Sequence, residues 1–524
     1  MSEPTSVADA LAAALKQQGV TRAWGMPGGD SLPLVASLGE VGVPVHLVRD
    51  EASAGFAADA TAQLTGTTGV AMATLGPGLT NLVSGVAGAL LDRAPVLAFT
   101  SRYRSDRHGS YTHMMLPQEK LLDATAKGWF RMTATNALGE LHRALQIAHA
   151  PRPGPVWLEV PVEVASAPCG VGAVFTPPSP SPSAPDAALV AQVASWKRPV
   201  ILCGFAARHA EIEALASRLR APVLTSYKAK GALPEGWGWS AGAAGLSPVA
   251  DRIHQGLIAR ADGVLLLGWD PAELRDQWLP GWPATCPVVV LDTHLPTDIP
   301  SDLERVHVGD LASAVAGLEG GDSVWTLEDV AVHRASHDAF FEEGATVGPA
   351  TAIRAVQEAA GDDAVVALDV GSHRITASQV WHAPRPDRVL QSNGFASMGY
   401  GLPAAIAAAA AGHKSVALIG DMGLQMVLGE LMTASENGWP VVTVVLVDDA
   451  LSLIELKQER LGHPSRSVRF KNPSFAALGE AVGGAGALCT TREELMTSIR
   501  EGFERDTPTV IGVPIDASWY RQQM

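Results

Sequence analysis

The stretch that decides the fold of this chain is residues 415–460, SVALIGDMGLQMVLGELMTASENGWPVVTVVLVDDALSLIELKQER. It contains two apolar runs, 416–419 and 441–447, and each is followed closely by an acidic residue, Asp421 or Asp449. Two strands joined by a helix form a right-handed parallel unit, in which both strand ends point to the same edge of the sheet. We therefore expect Asp421 and Asp449 to meet there, beside the N-terminus of a helix.

The segments that follow the two apolar runs show helical periods. The first is predicted as one amphipathic helix with apolar positions at Leu424, Met426, Leu428, Leu431 and Ala434. A second helix is predicted to start near residue 451. Hard cations such as Mg²⁺ take carboxylate oxygens, and phosphate groups bind at helix N-termini. The stretch therefore predicts a site for Mg²⁺ and a diphosphate group.

Composition restricts the classes of function that are open to the chain. A chain of 524 residues is too long to fold around a single hydrophobic core, and its length suggests about three domains. The net charge of −16 argues against nucleic acids and anionic membranes as partners. We see no signal sequence and no apolar run long enough to span a membrane. We expect a cytoplasmic protein with buried thiols, because the cysteines are scattered: Cys169, Cys203, Cys286 and Cys489.

Apolar runs alternate with helical patterns along the whole chain, which predicts an α/β protein with three domains. Each domain is expected to hold a mostly parallel sheet flanked by helices. The predicted limits are 1–170, 186–318 and 345–524. A linker rich in Pro and Ser (176–185, TPPSPSPSAP) separates the first two domains, and a polar stretch (320–348) separates the last two.

The spacing of the two acidic motifs resembles that of a known enzyme family. Gly-Asp-Met at 420–422 and Asp-Asp at 448–449 are separated by 25 residues, 423–447. The thiamine diphosphate (ThDP) enzymes carry Gly-Asp-Gly, a spacer of this length, and then Asn-Asn. The resemblance extends over nearly the whole chain. It implies the domain order pyrimidine-binding, central Rossmann-like and diphosphate-binding.

The resemblance implies that Asp421 and Asp449 hold Mg²⁺, with the Leu451 carbonyl as a third protein ligand. Two positions depart from the family pattern. Met422 replaces the second glycine of the first motif, and the pair beginning at Asp448 replaces two asparagines. A carboxylate still suits Mg²⁺, because the cation offsets the added negative charge.

Glu51 follows an apolar run (43–48) and precedes a helix of small residues (52–62). In isolation it resembles an exposed acid in the first turn of a helix. The family resemblance implies that Glu51 bonds N1′ of the aminopyrimidine ring and thereby activates the cofactor, which supplies the difficult chemistry itself. Glycine turns at 27–29 and 76–81 match the pyrimidine-binding domain of the family.

Further cofactor contacts follow from the same resemblance. Met398, within the segment SMGYGLPAA, resembles the bulky residue that holds the cofactor bent between its two rings. The turn at 369–373 (DVGSH) resembles a second diphosphate contact. The full predicted set is Pro27, Gly28, Gly29, Thr74, Asn81, Gly371, Ser372, His373, Met398, Gly420, Met422, Gly423 and Leu453.

Three further residues are predicted to act on the substrate. Glu455 lies six residues past Asp449, where pyruvate-decarboxylase relatives place an acid near the reacting carbon. In an apolar pocket its pKa would rise and it would donate a proton; the alternative is a solvated acid on a helix. His113 and Gln118 are either substrate contacts or polar residues at the entry to a helix.

The motifs TLGPGLTN and SMGYGLPAA are closest to the acetolactate-synthase branch of the family. We therefore expect a ThDP- and Mg²⁺-dependent enzyme that decarboxylates a 2-oxo acid. It would then release an aldehyde or ligate the acyl carbanion to an acceptor. The resemblance implies a homodimer or a dimer of dimers with active sites between subunits. The alternatives are a non-catalytic assembly partner and an oxidase that uses FAD or phosphate. FAD is possible, but no pattern in residues 186–318 requires it.

Overall fold

The computed structural model describes residues 6–104, 106, 112–169, 183–275, 278, 286–294, 305–344 and 346–524. Most of the predicted linker, 176–182, lies outside the described residues. The chain forms three sheets, each of six parallel strands flanked by helices, and the predicted α/β class is confirmed. None of the helices among these residues is both long enough and apolar enough to cross a membrane.

The first sheet comprises β1 (Ala23–Met26), β2 (Val45–Leu47), β3 (Gly69–Ala73), β4 (Val96–Arg102), β5 (Trp129–Arg131) and β6 (Val156–Pro161). Its strand order is β2-β1-β3-β4-β6-β5. The accompanying helices are α1 (Val7–Gln17), α2 (Leu32–Glu40), α3 (Glu51–Thr65), α4 (Pro77–Asp92), α5 (Glu119–Thr125), α6 (Ala137–His149) and α7 (Val162–Ala165).

The second sheet comprises β7 (Pro199–Cys203), β8 (Val223–Ser226), β9 (Ser240–Ala244), β10 (Gly263–Leu267), β11 (Val288–Asp292) and β12 (Arg305–Val308). Its order, β12-β11-β10-β7-β8-β9, reverses direction between β10 and β7. The helices are α8 (Ala187–Ser195), α9 (Ile212–Leu219), α10 (Pro248–Ile258) and α11 (Leu311–Ala316). The polar stretch predicted as a domain boundary, 320–348, contains a regular helix, α12 (Leu327–Asp338).

The third sheet comprises β13 (Val365–Leu368), β14 (Val389–Gln391), β15 (Ser415–Gly420), β16 (Val441–Val447), β17 (Ala485–Leu488) and β18 (Thr509–Pro514), in the order β14-β13-β15-β16-β18-β17. The helices are α13 (Pro349–Ala360), α14 (Ser372–Val380), α15 (Gly401–Ala410), α16 (Asp421–Val427), α17 (Glu430–Glu436), α18 (Ser452–Arg460), α19 (Phe475–Ala481), α20 (Arg492–Phe503) and α21 (Tyr520–Gln523). The adjacent pair β15 and β16 places the motifs of residues 415–460 at one edge, as predicted.

The prediction of one helix between β15 and β16 was wrong in detail. The segment divides into α16 and α17 at residues 428–429. Leu424, Leu431 and Ala434 are fully buried, as expected for the inner face. Met426 and Leu428 instead point outward, with exposed fractions of 57% and 39%. These two apolar side chains therefore belong to an exposed face and not to the core of this chain.

The first and third sheets share one hydrophobic core, which is built largely from small residues of α3, α4 and α15. Alanine and glycine allow helix backbones to approach closely. A Cβ atom on Gly55 of α3 would lie 2.5 Å from Gly85 Cα of α4, so neither glycine accepts a side chain without movement. This packing fixes the position of Glu51, the first residue of α3.

Candidate active site

Asp421 and Asp449 meet at the carboxyl edge of the third sheet. Asp421 Oδ2 accepts hydrogen bonds from the backbone amides of Asp448 and Asp449, at 3.2 and 2.9 Å. Asn472 Nδ2 donates to Asp421 Oδ2 at 2.8 Å and to Asp449 Oδ1 at 2.7 Å. Asp449 has a φ of +55°, a left-handed conformation that Asp and Asn tolerate better than other side chains. The two predicted metal ligands therefore share one amide donor.

Burial makes ionisation of the carboxyl groups at this edge unfavourable. Burial raises the pKa of Asp421 above its ordinary value. Burial, and then the neighbouring negative charge of Asp421, raise the pKa of Asp448 to about 6, although Ser452 Oγ donates to it at 2.5 Å. A bound cation would stabilise the charged forms that burial disfavours.

A cavity of about 240 Å³ lies beside Asp421. Its walls include the first residues of α14, α16 and α18, and none of these helices has a side-chain cap at its N-terminus. Uncapped amides at helix N-termini are ready donors for an anion. Ten predicted site residues line the cavity: Gly371, Ser372, His373, Met398, Gly420, Asp421, Met422, Gly423, Leu451 and Leu453.

Two buried side chains in this lining have polar atoms without hydrogen-bond partners, Ser372 Oγ and His373 Nε2. Burial lowers the pKa of His373 to about 3, so its imidazole is neutral near pH 7. A buried polar atom without a partner is costly, and a ligand with oxygen atoms relieves that cost. The cavity therefore fits a diphosphate group.

The donor set also fits Mg²⁺. Among the described residues, no group of three or more His, Cys, Asp or Glu side chains forms a complete metal cage. Magnesium sites in phosphate-handling enzymes typically use one or two carboxylates, with phosphate oxygens and waters as the remaining ligands. The pair Asp421 and Asp449, next to a cavity suited to a diphosphate, matches this pattern.

The predicted third ligand, the carbonyl of Leu451, also takes part in the first turn of α18. Leu451 lines the cavity, but its carbonyl oxygen accepts hydrogen bonds from the amides of Ile454 and Glu455 at 2.9 and 3.0 Å. Hydrogen bonds within the first turn of α18 do not exclude a cation at the same oxygen, so the Leu451 carbonyl stays a predicted ligand beside the two carboxylates.

Asp369 opens the predicted turn at 369–373, but the sequence analysis did not name it among the individual cofactor contacts. Its Oδ1 accepts a hydrogen bond from the amide of Gly401 at 3.0 Å, and burial raises its pKa to about 6. A Cβ atom on Gly423 would lie 2.2 Å from Asp369 Oδ2. Asp369 directly follows an apolar run and begins the predicted turn at 369–373. The spacing of the motifs gave no indication of its contact with Gly423.

Glu51, in the first domain, is buried, with an exposed fraction of 6%. Its Oε2 accepts a hydrogen bond from Asn81 Nδ2 at 3.0 Å. A Cβ atom on Gly78 would lie 3.2 Å from Glu51 Oε1, so the glycine turn passes directly over the carboxylate. The structure thus brings Glu51 together with the predicted turn at 76–81.

Asp30 connects the two glycine turns of this domain, and the sequence analysis missed it. Its carboxylate accepts hydrogen bonds from Thr74 Oγ1 at 2.7 Å and from the amide of Leu75 at 3.3 Å. A Cβ atom on Gly28 would lie 2.3 Å from Asp30 Oδ1. Asp30 therefore holds the turn that contains Pro27, Gly28 and Gly29 against Thr74.

Gln118 is buried and both ends of its amide are engaged. Its Oε1 accepts from the amide of Gly76 at 3.2 Å, and its Nε2 donates to Glu159 Oε1 at 3.0 Å. This arrangement fits a residue that positions the glycine turn. His113 is exposed, and the neighbouring Met114 carbonyl would lie 2.3 Å from a Cβ on Gly76, whose φ is +66°.

The expected environment of Glu455 is not found. Glu455 is absent from the cavity lining; Arg469 donates to its carboxylate at 2.8 and 2.9 Å, and Ser465 Oγ donates at 2.6 Å. The hydrogen bond from Ser465 and the guanidinium of Arg469 lower the pKa of Glu455, whereas an apolar pocket would raise it. In this geometry Glu455 is a charged partner of Arg469, so the expected apolar pocket is wrong, while the role of proton donor stays a prediction.

Glu51 and the cavity occupy different parts of one chain. Every residue that lines the cavity falls between positions 370 and 520. The backbone amides of the two residues before Glu51 donate to Glu430 Oε1 at 2.9 and 3.0 Å. The residues before Glu51 therefore pack against Glu430 of α17, and Glu51 is not among the residues that line the cavity.

A second cavity, of about 740 Å³, opens at the carboxyl ends of β7, β10 and β11, where the strand order of the second sheet reverses. Such reversal points are preferred nucleotide sites in α/β proteins. The charged lining includes Arg93, which forms an ion pair with Asp270 at 2.6 Å, and Arg208, whose guanidinium stacks 3.9 Å from the centre of the Phe205 ring. No motif in the sequence had indicated this cavity.

Three family models match the chain, and all three describe parts of one kind of enzyme. They are the thiamine pyrophosphate enzyme N-terminal binding domain (residues 5–126), central domain (187–313) and C-terminal binding domain (369–513). The chain belongs to the thiamine pyrophosphate enzymes. Thiamine pyrophosphate is ThDP, so the resemblance read from residues 420–449 is confirmed.

Similar proteins within the ThDP enzymes match over nearly their full length. A catabolic acetolactate synthase of Raoultella terrigena is 27% identical, covering 97% of this chain and 95% of the relative. The large subunit of acetolactate synthase isozyme 1 of Escherichia coli is 28% identical, covering 96% and 92%. A protein of Pseudomonas aeruginosa named probable 2-ketoarginine decarboxylase is 29% identical, with the same coverage of 96% and 92%.

Proposed function

We propose that this protein is a ThDP- and Mg²⁺-dependent enzyme that decarboxylates a 2-oxo acid and joins the remaining acyl unit to an acceptor carbonyl. The single observation that carries the proposal is the meeting of Asp421 and Asp449 beside a cavity lined by unpartnered buried polar atoms. A non-catalytic assembly partner would have no need for that costly arrangement. Membership of the ThDP enzymes supports the same conclusion.

The residues on both sides of the cofactor have separate tasks. Asp421 and Asp449 hold Mg²⁺, while Ser372, His373 and the helix amides bind diphosphate oxygens. Glu51 holds a proton at N1′ of the aminopyrimidine ring. Because Glu51 is buried, water does not compete for the hydrogen bond between its carboxyl group and N1′. The bound ThDP supplies the nucleophilic carbon and the electron sink for loss of CO₂.

We infer that the active unit contains at least two copies of the chain. Glu51 is not among the residues that line the cavity of its own chain, so a second copy would supply it. The exposed apolar side chains Met426 and Leu428 follow the cavity along the chain, and a partner would cover them. Both arguments favour a homodimer or a dimer of dimers with active sites between subunits.

Ligation is favoured over aldehyde release because the expected proton donor is engaged elsewhere. Glu455 is held by Arg469, and the nearby lining of the cavity contains Leu453, Ile454 and Met398. This apolar wall excludes water, and the acids that the lining does contain, Asp421 and Asp448, belong to the proposed metal site. The acetolactate synthases among the relatives support this choice, and the relative named as a decarboxylase supports aldehyde release.

The proposal is tested with a panel of 2-oxo acids, pyruvate, phenylpyruvate, benzoylformate and sulfopyruvate, in the presence of ThDP and Mg²⁺. CO₂ and organic products are followed together. We expect CO₂ release from at least one acid, with two acyl units joined in the product and little free aldehyde. Equal amounts of CO₂ and aldehyde would show that the protein is a simple decarboxylase. Calorimetry that shows no ThDP binding would contradict the assignment altogether.

A nucleotide-containing second cofactor, including FAD, is the further candidate that a specific observation favours. The cavity of about 740 Å³ lies at the preferred nucleotide position of the second sheet, and its size suits a ligand larger than a simple substrate. The absorption spectrum of the purified protein tests this candidate, because bound flavin has a band near the blue end of the visible range. A flavin band that stays with the protein during gel filtration would support it. Protein that stays colourless after incubation with FAD would contradict flavin binding.

A further inference from the structure

Asn472 stands between the two carboxylates to which the proposed function assigns the metal. Its Nδ2 donates to Asp421 Oδ2 at 2.8 Å and to Asp449 Oδ1 at 2.7 Å. The third partner of the amide is Gln425, whose Nε2 donates to Asn472 Oδ1 at 2.8 Å. One side chain thus joins the end of β15, the turn after β16 and the middle of α16.

The orientation of this amide is fixed by its partners. Ionised carboxylates only accept hydrogen bonds, so the nitrogen of Asn472 has to face Asp421 and Asp449. The oxygen of Asn472 then faces Gln425, which has to donate in turn. The two N–H groups of Asn472 lie between two negative charges, and they offset repulsion that would otherwise push Asp421 and Asp449 apart.

The backbone holds Asn472 in this place. Asn472 precedes a proline, which restricts it to extended conformations and lowers the entropy lost on ordering. The strand-like residues just before it pair with the metal turn: the Leu451 amide donates to the Val468 carbonyl at 2.7 Å, and the Phe470 amide donates to the Asp449 carbonyl at 3.2 Å. The segment 468–472 therefore moves with the turn that carries Asp449.

We propose that Asn472 is a positioning residue for the metal site, which sets the separation and orientation of the Asp421 and Asp449 carboxylates through its amide. This inference rests on the proposed function, in which those two carboxylates hold a divalent cation. Residues that hydrogen-bond to metal ligands typically change metal affinity by 10–100-fold when they are removed. Gln425 assists by fixing which end of the Asn472 amide faces the carboxylates.

The test measures divalent-cation affinity and not turnover. Mn²⁺ is titrated into each protein at saturating ThDP, and the concentration of free Mn²⁺ is measured by electron paramagnetic resonance. We expect Asn472→Ala to weaken Mn²⁺ binding by about tenfold or more, and Gln425→Ala to weaken it by a few-fold. Asn437→Ala is the matched control: this asparagine, in the same domain, donates to the Thr433 carbonyl within α17 and should leave Mn²⁺ affinity unchanged.

A double-mutant cycle separates positioning from general loosening of the fold. If Asn472 acts through Asp449, then Asn472→Ala should cost much less Mn²⁺ affinity in an Asp449→Ala background than in the parent. Thermal midpoints without added cation show how far each variant loses fold stability, and Asn472→Ala should lose more than Asn437→Ala because it leaves the repulsion between Asp421 and Asp449 unopposed. If Asn472→Ala does not fold, the proposal is tested by the Mn²⁺ affinity of Gln425→Ala alone. An affinity equal to that of the parent would overturn the proposal.

Two failures are distinguishable. If the parent binds Mn²⁺ with ThDP, but Asn472→Ala binds it within twofold of the parent, the role of Asn472 is refuted and the proposed function stands. If the parent itself binds no Mn²⁺ in the presence of ThDP, the metal assignment of Asp421 and Asp449 is refuted, and the role of Asn472 with it.

Discussion

Gly423 lies so close to Asp369 that a Cβ atom on the glycine would stand 2.2 Å from the carboxylate Oδ2 of the aspartate. Asp369 also accepts a hydrogen bond from the amide of Gly401, and a Cβ atom there would stand 2.8 Å from Asp369 Cβ. One buried carboxylate thus requires two glycines, one at the start of α15 and one in the first turn of α16. Gly423 lines the cavity of about 240 Å³, so Asp369 supports one wall of that cavity.

We expect Gly423→Ala to lower the free energy of unfolding by about 1–3 kcal/mol, because the added methyl group forces Asp369 or α16 to move. Urea denaturation checks the stability, and calorimetric titration with ThDP checks the cavity, whose affinity should fall as well. Gly139→Ala is the control: it lies in α6, nothing stands within 4 Å of its added Cβ, and it should be stabilising by up to about 1 kcal/mol. If the two substitutions changed the free energy of unfolding equally, Asp369 would be able to move aside without cost, and the prediction would be contradicted.

A chain with a substitution at Glu51 and a chain with a substitution at Asp421 should complement each other in a hybrid dimer. Each substitution alone, Glu51→Gln or Asp421→Ala, should lower turnover, by roughly 10²–10⁴ for the glutamate. A hybrid dimer with one chain of each kind has one doubly damaged site and one intact site, so purified hybrids should recover roughly half of the parental activity. The two chains are co-expressed with different affinity tags and purified through both. Hybrids no more active than either single variant would contradict a shared site.

The ion pair of Glu455 with Arg469 predicts that Glu455→Gln changes little. Since Glu455 is charged and turned toward Arg469, the ratio of ligated product to aldehyde should stay within about twofold of the parent. Products are separated by chromatography under identical 2-oxo acid concentrations. Arg469→Ala frees the carboxylate and serves as the comparison, in which aldehyde should increase. A clear shift toward ligated product in Glu455→Gln would restore the proton-donor role that the sequence suggested.

A buried histidine pair predicts pH-dependent stability outside the active site. His254 Nδ1 and His333 Nε2 lie 3.1 Å apart, and burial lowers the pKa of His333 to about 4 and that of His254 well below its ordinary value of 6.5. The unfolded chain therefore takes up protons first as the pH falls. The contribution of this pair to the unfolding free energy should be constant above about pH 6.5 and decrease between pH 6.5 and 4, by at most about 3 kcal/mol for His333.

Urea denaturation across that pH range measures the effect. His333→Gln keeps a neutral hydrogen-bonding side chain without a titrating group, so the pH dependence should become shallower. His463→Gln, at an exposed position, is the control and should keep the parental slope. An unchanged slope in His333→Gln would mean that this histidine does not control acid sensitivity.

The sequence predicted the sheet edge well because strand patterns and their acidic ends are local. The run 441–447 forms β16 with the same bounds, and Asp421 and Asp449 share a donor as their positions suggested. Met426 and Leu428 were misassigned because hydrophobic periodicity does not distinguish a face that packs on the core from a face that lies on the surface.

The missing parts of the site were contacts between distant residues. Asn472 lies 51 residues past Asp421, and before a proline it reads as an ordinary turn residue. Asp30 reaches Thr74 across 44 residues in the same way. The environment of Glu455 was mispredicted because Arg469 approaches it only through the fold of the intervening loop. Such partners depend on tertiary packing, which no short motif encodes.

The hydrogen bonds from the residues before Glu51 to Glu430 tie the start of α3 to α17, and in the proposed assembly each chain lends its glutamate to the site of a neighbour. In such an assembly, a chain substituted only at Glu51 damages the site that carries its neighbour's Asp421, whereas the site with its own Asp421 stays intact. Activity should therefore fall in proportion to the share of substituted copies, and only a chain that has lost both Glu51 and Asp421 would damage two sites at once.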